Sequence, residues 1–488
     1  MQNKIVLSAV LLACLWALSG CSGFSSSTAD LMRPPRLTPE QSAINEALTA
    51  AALTQTYTLK YPKSGEYRSA FVFHDIDGDG VEEAIAFYEP DINDTARIVL
   101  LDREGGVWKA SCDLAGAGQD VEFVAFANLT ASGSSDIVVG WSASDGSDKQ
   151  LSIYTYADGI LVNGLKGGGS NMEYDAYLIG DLSGNGRDDI VFTGSSVSGA
   201  RDAYWVKMVC FDGNDLVISD RMALSDRIDT FAGITAGRIS ASSPKHGVFI
   251  DEVLSNGMLA TEVFTVNSSN RFEPVISSAA EAEASALAAP AESPDGDIYE
   301  PDYKTPTLFE RTFRVNTAYS AASSDNEASA PLCGDADGDR VIEIPTASVL
   351  PGYEEQAESE TLYLIEYNHL EGDTLKRAFA AAVNRSGGYR VRFPDEWIGA
   401  VTIVNQVESN EWRFIGYNGG EDPLNDLSVE LARIRVVSQK DYQDKFLENY
   451  RKFSQTRGMF QYYGYVPPAA SGPLSVTWDE LQEMFSLL

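Results

Sequence analysis

One short stretch of the chain gathers carboxylates at a regular spacing. In HDIDGDGVEEAIAF, five acids fall within nine residues, and four of them stand two or four residues apart: Asp75, Asp77, Asp79 and Glu83. Four carboxylates so close together repel one another at neutral pH unless a cation lies between them. Counted from the first acid they occupy positions 1, 3, 5 and 9, and the carbonyl of Val81 falls at position 7. Because Ca²⁺ takes about six to eight oxygen ligands, this spacing predicts a calcium site.

The flanking residues predict which elements hold this loop. AFVF precedes it and AIAFY follows it, and both are apolar runs of strand length. An EF-hand requires Glu at position 12 and a helix on each side, whereas position 12 here is Ala86. A dockerin-type loop leads into a helix and is excluded by the same flanks. The sequence therefore predicts a strand, a metal loop and a second strand.

Composition limits the class of protein. The chain has 488 residues, 44% of them hydrophobic, which is enough for two or three domains or one large repeat array. Its 36 basic and 71 acidic residues give a net charge of -35. Such a charge repels nucleic acid and attracts divalent cations, so we expect no nucleic-acid binding.

The first residues predict export and a lipid anchor. Lys4 precedes an apolar run from Ile5 to Ala17, which is too short for a membrane span but suits a secretory signal. The run continues into Leu-Ser-Gly-Cys, which resembles the lipobox of bacterial lipoproteins, in which the cysteine is lipidated. We therefore expect a signal peptide over 1–20 and a lipid on Cys21 that holds the protein at the outer face of the cytoplasmic membrane or cell envelope.

The other cysteines indicate a fold without disulfides. Cys14 would leave with the signal peptide, so three thiols remain besides the lipidated one: Cys112, Cys210 and Cys333. An odd number scattered through strand-like sequence favours single buried thiols.

Residues 21–37 are rich in Ser and Pro and predict a flexible tether.

A helix is predicted over 38–51. Thr38 is a suitable N-cap, Pro39 fits the first turn, Gln41 completes a capping box, and Ile44 and Leu48 share one face.

The carboxylate loop recurs along the chain. Position 1 falls at 75, 128, 181, 238 and 335, with separations of 53, 53, 57 and 97 residues. The long interval contains the Ala, Glu and Ser rich segment 277–297, which we expect to be a mobile insert. The later copies place these residues in the frame: Asn128, Thr130, Ser132, Gly133 and Asp136; Asp181, Ser183, Asn185, Gly186 and Asp189; Arg238, Ser240, Ser242 and His246; Asp335, Asp337, Asp339 and Glu343.

A period of roughly fifty residues is the length of a four-stranded propeller blade. The frame also resembles the FG-GAP or VCBS repeats of integrin-type β-propellers, whose loops bind calcium. The resemblance covers about 71–346 and implies a mainly β fold, a calcium-stabilised β-propeller over 52–355. At roughly 55 residues per blade, the span 53–437 predicts seven blades.

The resemblance also implies the ligands. At positions 1, 3, 5, 7 and 9, with the carbonyl at position 7, they are Asp75, Asp77, Asp79, Val81 and Glu83; Asp181, Ser183, Asn185, Arg187 and Asp189; and Asp335, Asp337, Asp339, Val341 and Glu343. The third loop departs from the pattern at Arg340, where Gly is expected, so a positive φ and a weaker site are predicted there. The Asn128 loop is expected to be solvated without a metal.

The repeat fades after residue 355. Six strand-like segments over 356–437 would complete the propeller or form a separate β domain.

A helical and aromatic module is predicted over 438–488, with one helix from Ser438 bearing Tyr442, Phe446 and Tyr450. A second capping box, Thr477 with Glu480, predicts a final helix bearing Trp478, Leu481, Phe485 and Leu488 on one face. The aromatic segment 459–468 is expected to be buried strand, with sugar or peptide stacking as the alternative.

Motifs for catalysis are absent from the sequence. The three histidines, His74, His246 and His369, lie in no nucleophile motif, and there is no phosphate loop or paired-cysteine zinc motif. We therefore predict a monomeric, membrane-anchored module that binds an extracellular protein or glycan. The alternatives are an extracellular polysaccharide lyase or hydrolase on a propeller scaffold and a purely structural envelope component.

Overall fold

The structure is a computed structural model. It describes residues 38–92, 95–130, 133–165, 172–196, 203–267, 269–275, 308–314, 331–357, 360–372, 374–419, 430–438, 447–468 and 472–488. The predicted signal peptide, the lipidated Cys21, the tether, the 277–297 insert, Tyr442 and Phe446 lie outside these residues.

The described residues form six antiparallel sheets that follow one another along the chain. Sheet 1 contains β1 (Tyr57–Lys60), β2 (Phe71–His74), β3 (Glu83–Pro90), β4 (Arg97–Glu104) and β5 (Val107–Ala115). Sheet 2 contains β6 (Asp120–Ala127), β7 (Asp136–Ser142), β8 (Gln150–Ala157), β9 (Ile160–Asn163) and β10 (Met172–Glu173). Sheet 3 contains β11 (Ala176–Gly180), β12 (Asp189–Ser195), β13 (Tyr204–Phe211), β14 (Leu216–Ile218) and β15 (Met222–Ala223).

The last three sheets continue this pattern. Sheet 4 contains β16 (Ile228–Ser240), β17 (Ser243–Leu254), β18 (Met258–Val266), β19 (Phe272–Pro274) and β20 (Phe309–Arg314). Sheet 5 contains β21 (Ile344–Val349), β22 (Tyr363–Glu371), β23 (Thr374–Asn384), β24 (Tyr389–Phe393) and β30 (Phe485–Leu487). Sheet 6 contains β25 (Val401–Gln406), β26 (Glu411–Gly416), β27 (Glu430–Ser438), β28 (Arg451–Arg457) and β29 (Phe460–Tyr465).

Most neighbouring strands of each sheet follow one another along the chain, but in sheet 6 strand β29 lies between β27 and β28. In sheets 1 to 4, two of the five strands lie end to end on the same neighbour, so these sheets are four strands wide; β1 and β2, for example, both pair with β3. Sheets 5 and 6 are five strands wide, and sheet 5 takes its last strand from the end of the chain.

Apolar layers join each sheet to the next. One layer packs Ile85 and Phe87 of sheet 1 against Trp141 of sheet 2, and similar clusters join the later sheets in order. Strands covered on both faces read as continuous apolar runs, as β3 does from Ala84 to Tyr88. Among the described residues no apolar cluster joins sheet 6 to sheet 1, so a closed ring is not seen.

Helix α1 (Pro39–Ala51) covers the other face of sheet 1. Thr38 and Gln41 form the predicted capping box, and Ile44 and Leu48 are fully buried against Tyr88 and its neighbours. Helix α2 (Trp478–Met484) begins with the predicted capping box of Thr477 and Glu480. Within the described residues, neither helix has the length and apolar character that a membrane crossing requires.

Two sequence expectations need correction. The described residues hold six sheets rather than seven, because the spacing of the first loops does not extend to the interval of 97 residues between Arg238 and Asp335, which contributes a single sheet. Ser438 is the last residue of β27, and residues 439–446, where the predicted helix would begin, lie outside the described residues. Helix α2 stops at Met484, so Phe485 lies in β30 and Leu488 is exposed rather than on a helical stripe.

Other expectations are confirmed. The aromatic segment 459–468 contains β29, with Tyr462 and Tyr463 buried, although Met459 and Phe460 are exposed. Cys210 and Cys333 are buried free thiols, and Cys112 is half-buried and free.

Candidate metal centres

Successive loops of the repeat lie side by side at one edge of the sheets. The Ser135 N–H donates to the Ile76 carbonyl at 2.8 Å, and the Asp188 N–H donates to the Asn128 carbonyl at 2.9 Å. Further along the chain, the Ile342 N–H donates to the Arg238 carbonyl at 2.9 Å. The first three loops therefore share one end of the array, as equivalent loops of successive blades would.

Loop 1 (residues 75–83) connects β2 to β3 and is built around two of its acids. Asp75 accepts the N–H groups of Gly78 and Gly80 at 2.9 and 3.0 Å, which curls the backbone. Glu83 accepts the Ile76 N–H at 2.8 Å from the start of the next strand. Carboxylate oxygens of Asp75, Asp77 and Glu83 lie within 4.8 Å of one another, close enough to share one cation.

Two other predicted ligands of loop 1 have a different local role. Asp79 is not among the converging acids of this loop and accepts the Val81 N–H at 2.7 Å. Val81, predicted to offer its carbonyl, is 45% exposed at its turn. The convergent set is thus smaller than the sequence predicted.

The electrostatics of loop 1 favour a cation. Glu83 is only 2% exposed, and burial together with the charges of Asp77 and Asp102 raises its pKa to about 7. A buried carboxylate of this kind resists ionisation unless positive charge compensates it. A bound divalent ion would supply that charge.

Loop 2 (residues 181–189) repeats the same frame between β11 and β12. Asp181 accepts the N–H groups of Asn185 and Gly186, each at 2.9 Å, and Asp189 accepts those of Leu182 and Ser183. The Arg187 N–H donates to the Asn185 side chain, and its guanidinium lies over Phe211 and contacts the Thr130 carbonyl in the neighbouring loop.

Two ligand atoms of loop 2 are buried without partners. The second carboxylate oxygen of Asp189 and the Ser183 hydroxyl have no hydrogen-bond partner within the described residues, and Asp189 is fully buried. Burial also raises the pKa of Asp189. A buried polar atom without a partner costs about 1–3 kcal/mol, so these atoms indicate that something polar or cationic belongs beside them.

Loop 3 (residues 335–343) follows the frame with one strained residue. Asp335 accepts the Gly338 and Arg340 N–H groups, and Glu343 accepts the Ala336 N–H at 2.7 Å. Arg340 has a φ of +70°, which confirms the positive φ predicted for it. Val341 donates its N–H to Asp339 at 2.7 Å.

Loop 3 gathers more ligand types than the sequence predicted. Oxygens of Asp335, Asp337 and Asp339 converge within 4.8 Å, and a second such group joins Asp339 and Glu343 to His369. The His369 Nε2 lies 2.8 Å from Glu343 and 3.9 Å from Asp339. Sequence reasoning missed His369 because it follows Glu343 by 26 residues on another strand, and only the register of β21 with β22 could have revealed it.

The two remaining loops bind part of their polar groups internally. Asp136 accepts from the N–H and the hydroxyl of Thr130 and from the Leu129 N–H, whereas the side-chain oxygen of Asn128 is buried without a partner within the described residues. In the acid-free copy, the Arg238 guanidinium donates to the Ala241 carbonyl at 2.9 Å.

A crevice of about 1660 Å³, lined by polar and apolar residues, opens beside loop 2, between sheets 3 and 4. Loop 2 contributes Asn185 and Arg187 to its wall. The remaining charged residues lining it carry both signs: Asp212, Asp220, Arg221, Arg271 and Glu273. Such a wall offers hydrogen bonds to a polar ligand.

Comparison with known proteins gives no family. No family model matches the chain, and no curated protein matches its sequence. Similar solved structures include the exotype rhamnogalacturonan lyase YesX (11% identity, TM-score 0.26), covering 74% of this chain and 69% of that one. They also include the Bacillus licheniformis rhamnogalacturonan lyase PL11 (9%, TM-score 0.25; 84% and 91% covered) and a mutant of AofleA from Arthrobotrys oligospora (10%, TM-score 0.25; 85% and 94% covered). At these TM-scores the similarities support no inference about activity or ligand.

Proposed function

We propose that this protein is a calcium-stabilised, propeller-like binding module, held on the outer face of a bacterial membrane by a lipid on Cys21. The observation that carries the calcium assignment is the frame shared by loops 1, 2 and 3. In each of them a first-position aspartate accepts the N–H of the sixth residue, and a buried ninth carboxylate accepts that of the second. The Asn128 loop has only the second of these two bonds among the described residues. Carboxylate, amide and carbonyl oxygens are the ligands that Ca²⁺ prefers.

The binding surface in this proposal is the crevice beside loop 2. Its wall mixes arginines, carboxylates and amide groups, and Asn185 belongs both to it and to the metal loop. A calcium ion in loop 2 would fix Asn185 and thereby one side of the crevice. We propose an extracellular protein or glycan as the ligand, because such partners present the hydrogen-bonding groups that this wall complements.

An extracellular lyase or hydrolase is the second candidate function. It is supported by the same crevice, in which Asp220 and Glu273 line one cavity with Arg221 and Arg271. Loss of polysaccharide cleavage in Glu273→Gln would support it, whereas binding without any cleavage by the wild type would contradict it.

Calcium dependence of stability tests the main proposal. The full-length protein should melt at a higher temperature in millimolar Ca²⁺ than in EDTA, because an ion bound only by the folded state stabilises it by about 2.7 kcal/mol at a hundredfold excess over Kd. Asp77→Asn should reduce the calcium-dependent difference, since it removes a converging charge of loop 1.

Thr130→Ala is the matched control, because Thr130 lies in the loop whose acid is already satisfied. It should leave the difference between Ca²⁺ and EDTA unchanged. Identical melting curves of the wild type in Ca²⁺ and in EDTA would refute the calcium assignment.

A further inference from the structure

The residue across the sheet from the ninth ligand is the feature that distinguishes the loops. In sheet 5, Ile344 pairs with Asn368, so one step further along the ladder Glu343 faces His369. The two side chains are in direct contact, with 2.8 Å between Glu343 Oε1 and His369 Nε2. This position therefore delivers a side chain from the neighbouring strand into the metal loop.

The same position carries a potential ligand wherever the loop ends in an acid. The registers of sheets 1, 2 and 3 place Asp102 opposite Glu83, Thr155 opposite Asp136 and Cys210 opposite Asp189. In sheet 4, whose loop has no acid, the corresponding pair is His246 and Val266. The residue opposite the ninth loop position is therefore Asp, Thr, Cys or His where the loop ends in an acid, and Val in sheet 4, where the loop has no acid.

Loop 2 provides independent evidence that the frame is built around an ion. It shares with loop 3 one backbone hydrogen bond to the first acid and one to the ninth, yet an Asp189 oxygen and the Ser183 hydroxyl remain buried and unpartnered within the described residues. No histidine or additional acid reaches them within the described residues. The place that His369 takes in loop 3 is held in loop 2 by Cys210, opposite Asp189.

The ligand atoms at loop 3 differ in kind from those at loop 1. Glu343 is fully buried, the His369 side chain is 14% exposed, and one ligand atom from each of Asp339, Glu343 and His369 lies within 4.8 Å of the others. Ca²⁺ is bound by oxygen, whereas imidazole nitrogen suits Zn²⁺, Co²⁺ and similar ions. Two carboxylates with one imidazole form a mixed set of this second kind.

We propose that loop 3 binds a first-row transition-metal dication through Asp339, Glu343 and His369, and prefers it to Ca²⁺. The inference rests on the proposed function of the loops as cation sites and assigns this one a different ion. Loop 1, whose opposite residue is Asp102, keeps an all-oxygen set and prefers calcium. One array would then hold two kinds of metal at equivalent positions.

The test is zinc binding to the full-length protein, measured by competition with a chromophoric chelator. His369→Ala should weaken zinc binding by about tenfold or more, because even groups that only orient ligands contribute that much. Co²⁺ loaded in place of zinc should show visible absorption bands that the variant loses. His246→Ala is the control, because His246 stands at the ninth position of a loop without acids and faces Val266 across sheet 4, and this variant should bind zinc as the wild type does.

Zinc affinity unchanged in His369→Ala, or lost equally in His246→Ala, would overturn the proposal. Equal melting temperatures of the metal-free wild type and His369→Ala will show that the variant folds. If the melting temperatures differ, His369→Gln is used in its place, and the same loss of zinc affinity is expected of it. Measuring calcium binding as well distinguishes a failure of the zinc proposal from a failure of the proposed function. Asp77→Asn should weaken calcium binding and leave zinc binding intact, so absence of calcium binding refutes the calcium module alone.

Discussion

Gly78 provides a direct test of the contact between successive loops. A Cβ added at Gly78 would lie 1.6 Å from the Gly133 carbonyl oxygen in the next loop, which is backbone and cannot rotate away. A Cβ added at Gly80, two residues on, would meet nothing within 4 Å. Both glycines have positive φ, +79° and +88°, so they form a matched pair that differs in the neighbouring loop alone.

The expected magnitudes follow from that difference. Alanine in the left-handed region costs roughly 1–2 kcal/mol at either position. Gly78→Ala must also push the loops apart, which breaks the bond from the Ser135 N–H to Ile76 and strains the 2.9 Å contact between His74 and the Ser135 hydroxyl. At about 0.5–1.5 kcal/mol for each hydrogen bond, Gly78→Ala should cost roughly 1–3 kcal/mol more than Gly80→Ala.

Urea unfolding of the two variants, both in EDTA, measures the difference in their unfolding free energies without a contribution from bound metal. Hydrogen exchange shows where the difference arises, because the Ser135 amide should lose protection in Gly78→Ala and remain protected in Gly80→Ala. Equal unfolding midpoints together with equal protection of Ser135 would refute the contact between the loops and the side-by-side arrangement inferred from it.

Two further predictions concern other parts of the chain. Glu252 and Glu262 are fully buried in sheet 4, and three of their four carboxylate oxygens have no hydrogen-bond partner in the part of the chain that the structure describes. Burial raises the pKa of Glu262 to about 8, so ionisation of this pair opposes folding increasingly as pH rises from about 4.5 through 8. Glu262→Gln should therefore stabilise the protein by roughly 1–3 kcal/mol at pH 8.5 and little at pH 4.5 in urea unfolding, and an equal effect at both pH values would contradict this account. Cys21→Ser should abolish lipid labelling and release the protein from washed membranes, and retention of the variant would indicate a different anchor.

The local features were predictable because short stretches of sequence determine them. The two capping boxes need residues only three apart, Thr38 with Gln41 and Thr477 with Glu480. The loop frame needs nine consecutive residues, and its backbone follows from the first and ninth acids, which bind N–H groups within the same loop. The positive φ of Arg340 follows from the glycine that loops 1 and 2 have at that place.

Features set by pairing at a distance were not predictable in this way. Whether His369 enters loop 3 depends on the register of β22 against β21, and a shift by one residue would turn it to the other face. The sequence predicts that Phe485 lies on a helical stripe, yet it pairs with Val391 in the ladder of β24 with β30. The sheet count was wrong because the interval of 97 residues between Arg238 and Asp335 contributes a single sheet among the described residues.

The way in which each loop compensates its polar groups indicates where ions are needed. In the acid-free loop, the first position is Arg238, whose guanidinium binds the loop's own carbonyls and supplies the positive charge internally. In the Asn128 loop, Thr130 provides N–H and hydroxyl donors to Asp136. Loops 1, 2 and 3 keep buried acids at the ninth position, and among these acids only Glu343 has a side-chain nitrogen in contact, that of His369. Loops 1 and 2 offer oxygen ligands, so a calcium ion bound there would relieve the cost of the buried carboxylates, whereas loop 3 offers the mixed set proposed for a transition-metal ion.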